Sequence, residues 1–155
     1  MTYWISILKE CKSRNLSPEA IFNFRVGNKI WSIPENLKKS RIPDFGEEVI
    51  VYAAGLKKFL GSFVVASSIQ TPRPWEKRIF IHECPDYEFK YIIRIKDVKR
   101  FDPPLPIEEV LPHLNFIKNK KAWGIYFKGI FREIWQMDFE YIIKAAKAFG
   151  SIKIV

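Results

Sequence analysis

Between residues 88 and 98 the chain alternates, with Ile92 the exception. Phe89, Tyr91, Ile93 and Ile95 interleave with Lys90, Arg94 and Lys96. A period of two puts the apolar set on one face and the charged set on the other, which is the pattern of a half-buried β-strand and not of a helix. A strand with one apolar face requires partners, and the chain supplies them. Residues 3–8 are short, apolar and β-branched, residues 48–52 form a second confident strand, and residues 59–67 return from Gly55 as its hairpin partner. Residues 131–134 read as a strand or a turn, residues 123–127 as a strand, and residues 151–155 as a closing strand. The helices are fewer. Ser17 followed by Pro18 starts a short helix that is expected to stop before Gly27-Asn28. From Asp138 onward, Phe139, Ile142, Ile143, Ala146 and Phe149 share one face at helical spacing, and Gly150 is a natural terminator. One helical turn is expected over residues 35–39 and a short helix over residues 107–111, while Asp102-Pro103-Pro104 reads as a chain break. Several strands with short helices between and after them predict an α+β fold built on a small twisted or closed sheet.

With 155 residues the chain fits one domain, residues 1–155, and has length enough for an ordinary core without disulfides or metal. No repeat or long linker divides it. Residues 70–87, with Pro72, Pro74 and Pro85, read as a long irregular loop and hence as a candidate functional element. Cys11 and Cys84 could pair, but nothing in the sequence forces it, and a reducing, cytoplasmic location is the expectation. The first residues lack the basic n-region of a signal peptide, and no apolar run reaches the roughly 18 residues of a membrane span. Abundant Ile and Lys with little Gln suggest a heat-adapted source.

The ligand inventory argues against metal or cofactor chemistry. His82, Cys84, Cys11 and His113 show no CxxC, HExxH or paired-His spacing, so no metal and no cofactor are expected. GxSxG, P-loop and GxGxxG motifs are missing, and adjacent carboxylates such as Glu47-Glu48 point to opposite faces of a strand. Catalysis is therefore not the expectation. The charge is more informative. At a formal +9 the chain favours polyanionic partners, because each neutralised phosphate releases counterions. Basic residues cluster at Lys38, Lys39 and Arg41, at Lys57 and Lys58, and at Lys118, Lys120 and Lys121. The last cluster lies between Phe116 and Trp123, which suits stacking on exposed bases at about 1–3 kcal/mol per base, or simply a lysine-rich loop anchored by two rings. Trp31, flanked by Ser32 and Pro34, fits either a pocket wall or a core plug.

Five segments in order then resemble EVE domains, the family that includes the UPF0310 proteins. These are Met1-Thr2-Tyr3-Trp4-Ile5, Trp31-Ser32-Ile33-Pro34-Glu35, and Gly46-Glu47-Glu48-Val49-Ile50-Val51-Tyr52. They continue with the strand from Gly61 to Ser68, and with Phe116-Ile117-Lys118-Asn119-Lys120-Lys121-Ala122-Trp123-Gly124 followed by Phe131-Arg132-Glu133-Ile134. The second resembles a Trp-Gly-Val-Pro-Glu segment with Ser32 in the place of Gly. The stretch between Trp4 and Trp31 is longer than in the family pattern, and residues 70–87 have no counterpart in it. The resemblance runs from Met1 to about Ile143. It implies a PUA-like fold, a small mixed β-barrel with short helices around it and a C-terminal helix, akin to YTH and ASCH domains. It also implies a reader of a modified base in DNA or RNA. By position Tyr3, Trp4, Trp31, Ser32, Tyr52, Ser67 and Ser68 would line the base pocket, with Asn119 and Trp123 near its mouth. Lys38, Lys39, Arg41, Lys57, Lys58, Lys118, Lys120, Lys121 and Arg132 would face phosphates. The alternatives are a hydrolase of modified nucleosides, as in some ASCH relatives, and a protein-interaction module.

Overall fold

A computed structural model describes residues 1–80, 83–85 and 89–155. His82 and the expected strand start at Glu88 lie outside the described residues. Among the described residues, seven strands form one curled sheet in the order β2-β5-β4-β3-β1-β6, with β7 added on β5. They are β1 (Tyr3–Leu8), β2 (Ile30–Pro34), β3 (Glu48–Ala53), β4 (Lys58–Val65), β5 (Phe89–Pro106), β6 (Phe131–Ile134) and β7 (Ser151–Ile154). The helices are α1 (Pro18–Asn28), α2 (Pro74–Phe80) and α3 (Gln136–Phe149).

Alternation along the strands divides the core into two layers. Trp4 and Leu8 of β1 join Val49, Val51 and Ala53 of β3, and α1 closes this layer with Ile21, Phe22 and Val26. Ile5 and Ile7 of β1 join Ile50 and Tyr52 of β3 on the other face, where α3 contributes Phe139, Ile142 and Ala146. The parallel register that pairs Trp4 with Val49 and Ile7 with Tyr52 fixes this division. At Gly61 of β4 a Cβ would stand 2.1 Å from the Lys99 carbonyl oxygen, so only glycine permits β4 and β5 to approach so closely.

Helix α1 begins where expected, with the Ser17 hydroxyl accepting from the Ala20 amide at 3.1 Å and Pro18 in the first turn. It runs through Gly27-Asn28 and ends on Lys29, which takes the left-handed conformation at φ 55°. Other expectations change more. Strand β5 continues through Asp102-Pro103-Pro104, because both prolines fall where its register with β4 skips from Arg100 to Leu105 and its pairing with β7 reaches no further than Asp102, so neither proline is asked for a ladder N–H. Part of the expected loop 70–87 is α2. The expected strand at Trp123–Phe127 is a 3-10 helix, and the turn expected over 35–39 is displaced to a 3-10 helix at Lys39–Arg41. In α3, Phe149 is exposed beyond the buried face formed by Phe139, Ile142 and Ala146.

Cys11 and Cys84 form a disulfide, with 5.8 Å between their Cα atoms. Their use therefore no longer argues for a reducing compartment. No helix among the described residues is long and apolar enough to cross a membrane.

Candidate functional site

Because the sheet curls, its two ends face one another. At one end β2 is bonded to β5 only, and at the other β6 is bonded to β1 only. The seam between them is a cleft of about 460 Å³, inside the range of small-molecule sites. Ser6, Lys9 and Phe131 line it from the β1–β6 side, and Ser32 and Pro34 from β2. Leu37, Arg41, Phe89, Lys128 and Ile130 complete much of the rim, and Arg25 reaches it from α1.

Its charge is one-sided. Lys9, Arg25, Arg41 and Lys128 line it, and no described Asp or Glu does. Three other cavities, of about 350, 250 and 390 Å³, each place Glu48, Asp97, Asp138 or Glu140 among their lysines. Lys9, Arg41 and Lys128 are exposed, whereas Ser6 and Ser32 are buried at the floor. Among the described residues, no three His, Cys, Asp or Glu side chains are grouped to hold a metal ion.

The expected placing of Trp4 and Trp31 on a pocket wall is corrected by burial. Trp31 has 0% exposure. Its indole N–H donates to the Ser6 hydroxyl at 3.1 Å, and its ring packs at 4.7 Å from Phe63 and lies 4.8 Å from the Arg25 guanidinium. Trp4 is buried as well, donating to Glu47 Oε1 at 3.2 Å and meeting Phe131 edge-on. These indoles stand one layer behind the cleft and brace the residues that line it, so neither is an open stacking face. Tyr52 points into the opposite core layer, stacked at 4.2 Å on Phe127, and burial pushes its hydroxyl pKa far above the usual value. Tyr3 is on that same side, 4.8 Å from Phe139. Ser67 accepts from the Arg94 amide and donates to the Ser68 carbonyl, in a bend that does not line the cleft.

The segment resembling the EVE signature does local structural work. Asn119 Oδ1 accepts from the Lys121 and Ala122 amides and so builds a turn. Lys120 Nζ donates to the Leu114 carbonyl. The Arg132 guanidinium lies over both Phe116 and Tyr126, at 5.3 and 5.2 Å. Trp123 packs edge-on against Phe127 with Lys57 Nζ 6.0 Å from its ring. Lys58, Lys118 and Lys121 are exposed there, and Lys38 and Lys39 are exposed beside Arg41. Of the residues expected at the site, the structure brings Ser32 and Arg41 to the cleft and leaves the others outside its lining.

Arg25, Ser6, Lys9 and Lys128 are lining residues that the sequence reading missed. One signal was present for Arg25. It follows Ile21 by four positions, so a helix that buries Ile21 also turns Arg25 inward. Burial of that charge is met by Glu83, whose Oε1 accepts from Nε at 2.9 Å and from Nη2 at 2.6 Å. Glu83 is held in turn by the neighbouring Cys84, tied through the disulfide to Cys11 just beyond β1.

No family model matches this chain. It is 29% identical over 154 residues to the UPF0310 protein PH1033 of Pyrococcus horikoshii, a match covering 93% of this chain and 98% of that protein. In fold it is similar to human THYN1 in complex with DNA containing 5-methylcytosine, at a TM-score of 0.58 and 15% identity over 95% of this chain and 98% of that one. It is also similar to the Mmi1 YTH domain in complex with RNA, at 0.58 and 13% over 95% and 78% of the two chains. A third neighbour is the ASCH protein of Zymomonas mobilis, at 0.58 and 11% over 92% and 94%. The likeness to a UPF0310 protein agrees with the sequence resemblance, and the fold shared with these neighbours agrees with the mixed α+β architecture expected from it.

Proposed function

We propose that this chain is a single binding module for DNA or RNA that accepts one modified base in the cleft between β2 and the β1–β6 end of the sheet. The carrying observation is the cleft's charge: three exposed cations, Lys9, Arg41 and Lys128, and no described carboxylate in the lining, around a floor of buried serines. The exposed Lys9, Arg41 and Lys128 stand where they can meet the phosphates on either side of the base. Phe89 and Phe131 offer apolar walls, and Ser6 and Ser32 offer hydroxyls to its edge. The complexes of THYN1 with methylated DNA and of Mmi1 with RNA support the same ligand class.

The magnitudes define the test. Three phosphate contacts on a single strand predict a slope of about −2 for log affinity against log salt. One added methyl buried in the cleft is worth about 0.8 kcal/mol, or about fourfold in affinity. Fluorescence anisotropy with labelled single strands, with and without one methylated base at a central position, measures both. Replacing Lys9, Arg41 and Lys128 together by Ala is expected to flatten the slope, and Ser32→Trp to abolish binding by filling the cleft. Unchanged binding in a folded Ser32→Trp protein defeats the assignment. Product formation on incubation with acylated nucleosides would favour the hydrolase reading that the ASCH neighbour raises.

A further inference from the structure

Arg25 is an unusual lining group for a basic cleft. Its side chain is only 5% exposed and its charge is matched by Glu83, at 3%. A guanidinium carries five N–H donors in a fixed plane. Glu83 Oε1 takes two of them, from Nε and Nη2, along one side of that plane. The Trp31 ring lies 4.8 Å away and braces the group by a cation–π contact. The end of the fork, formed by Nη1 and the second Nη2 hydrogen, has no acceptor among the described residues. Arg25 lines the cleft, and this end of the fork is the part of its guanidinium that Glu83 does not engage.

We infer that Arg25 is a specificity-determining residue that reads two adjacent acceptors on the bound base, which selects a guanine-type edge. The inference rests on the reading that the cleft holds a base. Two parallel N–H donors match the O6 and N7 pair of guanine, whereas adenine presents an amino donor in place of O6, and cytosine presents one in place of O4 of thymine. The ion pair also decides between a base and a phosphate. Glu83 Oε1 sits 2.6 Å from Nη2, so the Arg25–Glu83 unit is neutral overall and offers an incoming anion no net charge. A neutral carbonyl with a neighbouring ring nitrogen meets only the free donors. The exposed Lys9, Arg41 and Lys128, without such a partner in the cleft, are left for the phosphates.

The test is anisotropy with single strands of constant flanks carrying guanine, 7-deazaguanine or adenine at one central position. The wild-type protein is expected to prefer guanine over both by about tenfold. Removing Arg25 alone strands Glu83 in the core and endangers the fold. The first variant is therefore the double Arg25→Gln with Glu83→Gln, which keeps a neutral hydrogen-bonded pair. The second is Arg25→Lys, which keeps the charge and loses the fork. Both are expected to bind all three strands alike, the roughly tenfold preference for guanine being lost. Equal binding of the three strands by the wild-type protein, with Ser32→Trp still abolishing it, overturns the role of Arg25 and leaves the cleft as the site. If Ser32→Trp leaves binding intact, the cleft reading itself falls.

Discussion

Replacing Trp31 by Ala separates a core ring from a binding ring. A ring on an open pocket wall can be removed at a stability cost within about 0.5 kcal/mol, with the loss appearing in ligand affinity. Trp31 is fully buried instead, against Phe63 at 4.7 Å, edge-on to Phe22, and 4.8 Å from the Arg25 guanidinium. Truncating a buried Trp costs about 3–5 kcal/mol. The bond from its indole N–H to the Ser6 hydroxyl is lost as well, adding about 1 kcal/mol. The sum is about 4–6 kcal/mol, a large part of the roughly 5–15 kcal/mol that holds a domain folded. With a urea slope of about 2 kcal/mol per molar, the unfolding midpoint is expected to fall by about 2–3 M. Far-UV circular dichroism is the suitable readout, because it does not depend on the removed fluorophore. Trp31→Phe keeps most of the apolar volume and loses the hydrogen bond, so it is expected to cost much less. A midpoint that moves by less than about 0.3 M in Trp31→Ala, together with lost oligonucleotide binding, would refute the core assignment and restore the ring to the site.

The same reasoning reaches other positions. Gly61→Ala places a Cβ 2.1 Å from the Lys99 carbonyl oxygen, and forcing β4 from β5 is expected to cost about 3 kcal/mol or more, seen as a drop of at least 5 °C or so in a thermal melt. A melt within 1 °C or so of wild type would contradict that contact. Cys11 and Cys84 are 73 residues apart, so opening the disulfide releases about 4 kcal/mol of unfolded-chain entropy, and a reduced sample should melt well below the oxidised one. Coincident melts would show that the bridge closes no constraint. Burial of Glu76 alone would raise its pKa. The hydrogen bonds from the Arg94 side chain and the Arg73 amide, with the charges of both arginines, hold it below the ordinary value of 4.5 instead. The ionised form is thus favoured by folding, and its stabilisation is complete above pH 4.5 and lost as pH falls through the lower folded pKa. Stability measured from pH 6 to pH 3 should therefore decline less steeply in Glu76→Gln than in the wild-type protein, and parallel curves would count against this ion pair.

Much of the fold was legible in the residues because its signals are local. Alternation along residues 88–98, the Ser17-Pro18 cap and the periodic face beginning at Phe139 each arise within one element. The order of segments from Trp4 to Arg132 carried the family likeness in the same way. Proline and glycine misled where tertiary pairing overrode them. The Asp102-Pro103-Pro104 run sits in β5 where its register skips, and Gly27 sits inside α1.

Composition and alternation establish that rings and cations are numerous, and which strands present alternating faces. Where those rings lie is set by strand pairing. The register of β1 on β3 places Trp4 with Val49 in one layer and Tyr52 in the other, so the expected wall residues cannot share a pocket. Curling of the sheet then brings Lys9, Arg41 and Lys128 from three distant segments to one rim and sets Ser6 beside Ser32 beneath them. Alternation specifies that a residue has a face, but strand pairing and closure choose which face becomes interior and which gap stays open to a ligand.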